Sequence, residues 1–325
     1  MRVFAQAVTA IAVVLSLAAT GSIQKADSDK AEQVLASARE ALGGSKITEV
    51  KSFAATGRTR RLSGNNLVPI EFEINVELPD KYVRKDEVPA QENDPTSLGF
   101  NGMGLIQVPP PAAPGPPPAR AGAPPPSREA IEAGRQAGMK ARAATVKQDF
   151  ARLMLGMFAS SYSGAPLTFT YAGQAQAPQG TAEVLDAKGE GTFALRLLIA
   201  SDTHLPIMVS WQQPPATVIV KVPGQPTPAT IPPGAVVVEA PAPPPVTASQ
   251  EEKDKYNKDV ADLRRKAQTQ TIEARLYFAD YRDVNGLKLP FRLRRALGPD
   301  TTEETTFDGF RINAKIDPKR FEVVK

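Results

Sequence analysis

Residues 272–295 read IEARLYFADYRDVNGLKLPFRLRR, and they have the outline of a β-hairpin. Ile272, Ala274, Leu276 and Phe278 fall on one face of the incoming run. Asn285-Gly286 supplies the two φ > 0 positions that a tight hairpin turn requires. On the way out Leu287, Leu289, Phe291 and Leu293 alternate with Lys288, Arg292 and Arg294. A strand repeats every two residues, so this pattern predicts one buried face and one wet face. A shorter echo lies upstream. Phe193–Ile199 reads FALRLLI, Asp202–Pro206 reads DTHLP, and Ile207, Val209 and Trp211 follow in alternation. Both copies run strand, polar turn, Leu-Pro, strand. The repetition predicts a sheet made of successive hairpins.

Working outward, the same alternation recurs near the N-terminal end. Ile70, Phe72, Ile74, Val76 and Leu78 alternate with Glu71, Glu73, Asn75 and Glu77. Val50–Arg61 is predicted as the strand before it. Pro79-Asp80 turns the chain into a returning strand from Lys81 to Val88. These segments form an antiparallel meander with a wet outer face. Further strands are expected at Leu167, Phe169 and Tyr171, at Thr181–Ala187, and at Thr301–Phe307. Phe321 is expected to tuck against the fold.

Three helices are predicted. Asp29–Leu42 carries a stripe of Ala31, Val34, Leu35, Ala38 and Leu42, with Asp29 and Glu32 placed as a capping box and Gly43-Gly44 as its stop. Ser127 opens a long helix ending near Phe158. Its second half puts Val146, Phe150, Leu153, Met154, Met157 and Phe158 on one side. A methionine-rich face of this kind packs a core or lines an adaptable apolar site. Ser249 and Glu252 open a surface helix whose narrow stripe is Tyr256, Val260, Leu263 and Ala267.

Two stretches break the pattern. Pro109–Pro126 holds ten of the chain's 31 prolines, and Pro214–Pro245 holds eleven more. No helix or sheet interior tolerates that density. Both are read as insertions, at about 95–126 and 213–248, within one domain spanning 23–325. Val218–Val222 and Val236–Val238 are short enough to pair as strands inside the second.

Composition narrows the chemistry. The chain has 325 residues with 39 basic and 35 acidic side chains, a balance too mild to argue for nucleic acid. It has no cysteine, which excludes disulfides, thiolate metal sites, a cysteine nucleophile and lipid attachment through an N-terminal cysteine. Met1-Arg2, the apolar run Val3–Ala19 and the small residues Ala18–Ser22 have the layout of a secretory signal peptide over residues 1–22. An uncleaved membrane anchor is the rival reading. No later run is long and apolar enough to span a membrane.

The candidates for catalysis are few. His204 is the only histidine, and it sits in a polar turn beside Asp202. There is no HExxH, Gly-x-Ser-x-Gly, phosphate-cradling loop or dinucleotide fingerprint. Glu71, Glu73 and Glu77 share a strand face, and Asp280 and Asp283 flank Tyr281. Strand alternation already accounts for the glutamates, and Lys288, Arg292 and Arg294 read as a solvated face. The chain is read as a non-enzyme with no cofactor and no metal.

Several short motifs, taken in order, resemble a known family. They are Ala41-Leu-Gly-Gly44, Val50-Lys-Ser-Phe53, Gly57-Arg58, Pro79-Asp80-Lys81 with Arg84, Asp202-x-x-Leu-Pro206, and Asp280-Tyr-Arg-x-x-x-Gly-x-x-Leu-Pro290. Together with the N-terminal layout they resemble the LolA/LolB-like envelope proteins, which include outer-membrane lipoprotein carriers. The resemblance implies an α+β fold: a strongly curved antiparallel sheet, an unclosed β-barrel, with helices across its concave face. It also implies that the apolar space between sheet and helices takes lipoprotein acyl chains or other lipids.

Two functions are therefore expected. The first is a periplasmic lipid or lipoprotein acyl-chain carrier, with a cavity lined by Phe72, Ile74, Val76, Met154, Phe158, Phe169, Leu195, Phe278, Leu289 and Phe291. The second is a structural or interaction protein of the envelope that contacts a protein partner through its proline-rich segments.

Overall fold

The computed structural model describes residues 14–64, 66–111, 127–177, 180–225 and 230–323. The signal-peptide reading rests largely on residues 1–13, which lie outside the described residues. In chain order the elements are α1 (Val14–Leu42), β1 (Ser52–Ser63), β2 (Asn66–Glu77), β3 (Lys81–Glu87), β4 (Thr96–Asn101) and β5 (Gly104–Val108). Then come α2 (Arg128–Phe158), β6 (Thr168–Ala177), β7 (Gly180–Lys188), β8 (Ala194–Ala200) and β9 (Pro206–Gln213). The chain continues with β10 (Thr217–Lys221), β11 (Ala235–Glu239), α3 (Gln250–Gln268), β12 (Ile272–Val284), β13 (Leu287–Leu297) and β14 (Asp300–Ile312). Short 3-10 turns occupy Gly44–Glu49 and Pro318–Phe321.

Twelve strands form one antiparallel sheet in the order β5-β4-β3-β2-β1-β14-β13-β12-β9-β8-β7-β6. The two ends of that order, β5 and β6, do not pair with each other, so the sheet is not closed into a barrel. It must curl nonetheless. The buried half of α2, from Ala143 to Phe158, packs against β4 and β5 at one end and against β9 eight places from β5. Flat strands spaced ~4.8 Å apart would put that distance at ~38 Å. A helical segment of this length is only ~24 Å long at ~1.5 Å per residue. One short helix face reaches both because the sheet wraps around it. The architecture is an unclosed antiparallel barrel with helices across its concave side.

The opening hairpin forms as its sequence predicts. Tyr281 pairs with Pro290 and Val284 with Leu287 across the turn. Asn285 and Gly286 take φ values of 57° and 81°. This turn also receives the end of α1. Gly43, at φ 145°, lies where a Cβ would stand 2.7 Å from Leu287 Cδ2 and 2.9 Å from the Gly286 carbonyl oxygen. Only glycine allows the helix end to rest there. The echo hairpin forms too, as β8 and β9, with Leu197 opposite Val209.

One core lies between the sheet and the helices. Every residue of the α1 stripe named from the sequence is buried in it, as are all six residues of the α2 stripe. Full burial of a side chain of this size contributes about 1.5–3 kcal/mol. Ser127 caps α2, accepting from the Ala130 N–H at 3.2 Å. Ser249 and Glu252 make the reciprocal capping box of α3. That helix buries only Ala267 and lies on the surface against β10 and β11.

Four features differ from the sequence reading. First, α1 runs through Asp29, so Asp29 is no cap. The residues from Val14 to Ser28 contain no proline, and the single glycine, Gly21, costs a helix only about 1 kcal/mol. Glu32 instead accepts from Arg39 at 3.0 Å. Second, the stretch from 96 to 108, grouped with the first insertion, carries β4 and β5 and extends the sheet. No proline lies between Thr96 and Val108, so nothing prevents these residues from pairing. Third, β10 and β11 do pair within the second insertion, but in parallel. Fourth, the outer face of the meander is not wet throughout. Val83 and Ile106 are buried there beneath Phe321, itself 1% exposed. Arg320 beside it donates to Glu73 at 2.8 Å. Among the described residues no helix is long and apolar enough to cross a membrane.

Candidate functional site

The concave face is apolar over most of its area and charged at one end. Nine of the ten residues expected to line a cavity are buried in the single core: Phe72, Ile74, Val76, Met154, Phe158, Leu195, Phe278, Leu289 and Phe291. Phe169 is half-buried at its edge. Four phenylalanine rings cross the floor of the sheet. Phe72 meets Phe307 edge-on at 5.4 Å, Phe307 meets Phe310 at 4.6 Å, and Phe310 meets Phe291 at 5.3 Å. Gly57, between Phe72 and Phe307 in register, leaves room for this row, since a Cβ would stand 2.7 Å from the Phe72 ring. An arginine stacks on each end of the row. Arg84 lies 4.5 Å from the Phe72 centroid and Arg282 lies 4.5 Å from that of Phe291.

A partly open cavity of about 70 Å³ lies between α2 and this floor. Ile74, Leu153, Leu276, Leu293 and Phe307 form its apolar wall. Arg84, Arg295, Asp149 and Glu303 form its polar wall, with Thr305 between them. Of the ten expected residues, Ile74 reaches this cavity. None of these charged residues was expected from the sequence to line a site, although Arg84 belongs to one of the quoted motifs. A signal for them existed: Arg61, Arg84, Arg295 and Glu303 are in phase with the apolar face of their strands, where a polar residue is unexpected.

These charges and their neighbours form two groups of ion pairs, one on the sheet and one on the helix side. Glu303 accepts from Arg61 Nε at 2.9 Å and lies 3.8 Å from Arg84. Arg61 also reaches Asp86 at 3.3 Å, and Asp86 pairs with Arg84. Arg84 donates to Thr59 Oγ1 at 3.0 Å, and Thr59 shares a 2.8 Å hydrogen bond with Thr305. On the helix side Asp149 accepts from Arg152 at 2.8 Å and stands 3.6 Å from Arg295. Burial works against the charge of Arg84, but Asp86 and Glu303 outweigh it and raise its pKa. Burial likewise works to raise that of Glu303, yet Arg84 and Arg61 hold it below the ordinary glutamate value. Burial pushes the Tyr82 phenol beside them up to about 12.

Arg152 is the most enclosed member. It is 6% exposed and lies between the rings of Trp211 at 4.2 Å and Phe193 at 5.0 Å. Its Nε is buried without a hydrogen-bond partner, and burial lowers its pKa. Tyr281, expected only as a neighbour of two aspartates, has a structural task. Its hydroxyl lies 2.8 Å from the Gly156 carbonyl oxygen of α2 and 2.7 Å from that of Pro206. It ties the helix to the floor. His204 lies away from the cavity, in a turn at φ 55° facing α1 across an open groove.

No family model and no curated protein matches the sequence. Solved structures similar to the chain include a LolA superfamily protein from Nitrosomonas europaea, at 11% identity and a TM-score of 0.45, covering 90% of this chain and 97% of the other. A domain described as an outer membrane lipoprotein-sorting protein from Vibrio parahaemolyticus is similar at 6% identity and a TM-score of 0.42, with 90% and 97% covered. A DUF1329 family protein from Desulfovibrio piger is similar at 6% identity and a TM-score of 0.39, with 92% and 97% covered.

Proposed function

We propose that the protein is a non-catalytic carrier or binding protein for lipid or lipoprotein acyl chains, exported by its N-terminal segment to work in the periplasm. The observation that carries this reading is the cavity between α2 and the curled sheet, whose apolar wall continues into the buried concave face. An acyl chain entering there is removed from water at a gain of about 0.8 kcal/mol per CH₂. The inner face of α2 suits such an occupant. Met154 and Met157 are unbranched and repack around a guest at little cost. The test is to purify the protein from cell envelope, extract it with organic solvent and analyse the extract by mass spectrometry. Recovery of a stoichiometric lipid supports the reading. An empty protein that also fails to bind a fluorescent fatty acid overturns it.

A second reading has its own observation. Every residue from Ser127 to Gly138 is exposed, Ile131 among them at 44%, so the first turns of α2 project without cover. They follow directly on the proline-rich stretch, and together these segments suit contact with an envelope protein. Deleting Pro109–Pro126 separates the two readings. Loss of a co-purifying partner with lipid binding intact favours contact, and loss of lipid binding favours the carrier.

A further inference from the structure

Met103 is 73% exposed at the tip of the β4–β5 hairpin, whereas Met154 and Met157 are buried in the core and Met139 and Met208 are half-buried. These five are the methionines among the described residues. The exposed thioether has a cation beside it. Lys147 of α2 donates to Met103 Sδ at 3.4 Å, and its Nζ lies 5.5 Å from the centroid of the Phe100 ring. Both sides of this contact are anchored. In the turn, the Gly102 N–H donates to the Asp80 carbonyl at 3.0 Å, and a Cβ on Gly104 would stand 2.6 Å from Val323 Cγ2. On the helix, Lys147 follows the buried Val146, and its own carbonyl accepts from the Tyr162 hydroxyl at 3.3 Å. A thioether sulfur is a weak acceptor, so the contact between the two anchored elements is weak while Met103 is reduced.

We propose that Met103 is a reversible oxidation site, and that its sulfoxide clasps the β4–β5 hairpin to α2 through Lys147. The oxidant is a hydroperoxide. A lone pair of the Met103 sulfur attacks one peroxide oxygen, and the S–O bond forms as the O–O bond breaks. The second oxygen takes the proton of the first and, from hydrogen peroxide, leaves as water. Sulfur gives up two electrons and the peroxide gains them. The new oxygen is a strong acceptor, and the Lys147 ammonium already stands beside the sulfur that bears it. Met103 faces water, so the added oxygen is not buried and costs no desolvation. The same step at Met154 or Met157 puts a polar oxygen into the core and loosens α2. Oxidation at the tip and oxidation in the core therefore act on the helix with opposite sign. Neither requires a bound lipid.

The test treats the full chain briefly with hydrogen peroxide, locates the added oxygen by peptide mass spectrometry, and follows amide hydrogen exchange. Met103 is expected to oxidise ahead of Met139, Met154, Met157 and Met208. In protein oxidised at Met103 alone, exchange around Lys147 and in the β4–β5 hairpin should slow about threefold, the scale of one exposed charge-assisted contact. Methionine sulfoxide reductases should restore the original rate, a control that needs no variant. Lys147→Arg, still a cationic donor, should keep the slowing. Lys147→Glu, which offers no ammonium, should abolish it, and Met103→Leu should leave the protein unresponsive to brief treatment. Oxidation of Met139 or Met208 as fast as Met103 overturns the proposal. So does unchanged or faster exchange in the protein oxidised at Met103, and so does equal slowing in Lys147→Glu.

Discussion

Gly156 of α2 lies so close to Phe278 of β12 that a methyl group on the glycine would overlap the phenyl ring. This contact sets how deeply the helix sits in the curled sheet. Gly156→Ala is expected to lower stability by about 1–3 kcal/mol, the usual cost of overpacking. Urea unfolding measures it. Combining Gly156→Ala with Phe278→Leu should recover part of the loss, and a non-additive double-mutant cycle is the expected signature. An unchanged urea midpoint in the single variant would show that the helix is free to shift.

Tyr281→Phe removes the hydroxyl that joins the carbonyls of Gly156 and Pro206. The ring stays packed, so the change isolates the polar tie. A loss of about 1–2 kcal/mol is expected, since the two carbonyls then lose the one donor they share. Amide hydrogen exchange in the last turns of α2 should quicken. Unaltered exchange there would mean that apolar packing alone fixes the helix.

Glu303 gives the fold an acid limit. Arg84 and Arg61 hold its folded pKa below the ordinary 4.5 despite burial. A carboxylate of this kind adds stability above its unfolded pKa and loses it as pH falls through the lower folded value. Glu303→Gln should therefore be less stable near neutral pH by about 2 kcal/mol. The gap between variant and native protein should stay constant down to about pH 5 and close below it. A gap that widens on acidification would contradict this assignment.

Phe321 covers Val83 and Ile106 on the outer face. Phe321→Ala is expected to cost about 3 kcal/mol by thermal unfolding and to expose apolar surface on β3 and β5. Added binding of a hydrophobic dye should accompany it. A protein with unchanged melting and no extra dye binding would mark the tail as ornamental to stability.

Much of the sheet was legible because its strands obey the two-residue period plainly. Phe72, Ile74 and Val76 are all buried, and Glu71 between Ile70 and Phe72 is exposed. The turn at Asn285-Gly286 and the caps at Ser127 and Ser249 were readable because each answers a local backbone need. The charged end of the site was harder. Arg84 and Glu303 look like ordinary surface residues one at a time; the phase of each strand hints that they point inward, and registers such as Ile74 with Arg84 show which residues they meet. That Phe321 tucks against the fold was readable, but where it lands was not. Phe321 meets Val83 and Ile106 across more than two hundred residues, and no local pattern encodes such a meeting.

The strand order of the sheet carries a consequence for how the chain folds. Started at α2 and read in a circle, the twelve strands are met in order: β6 to β9, β12 to β14, then β1 to β5. The barrel is thus a simple meander whose sequence has been opened in another place. In the chain as it stands, each ladder of the large sheet but one joins strands that follow each other, directly or across the second insertion. The exception is the β1–β14 seam, where Thr59 bonds Thr305 at a sequence separation of 246. Loop closure over that span is costly in entropy and slow. The two flanks can form as separate local meanders, and uniting them is the step expected to limit the folding rate. Moving the chain ends to the 112–126 stretch would make that seam local, at no change to a single strand pairing.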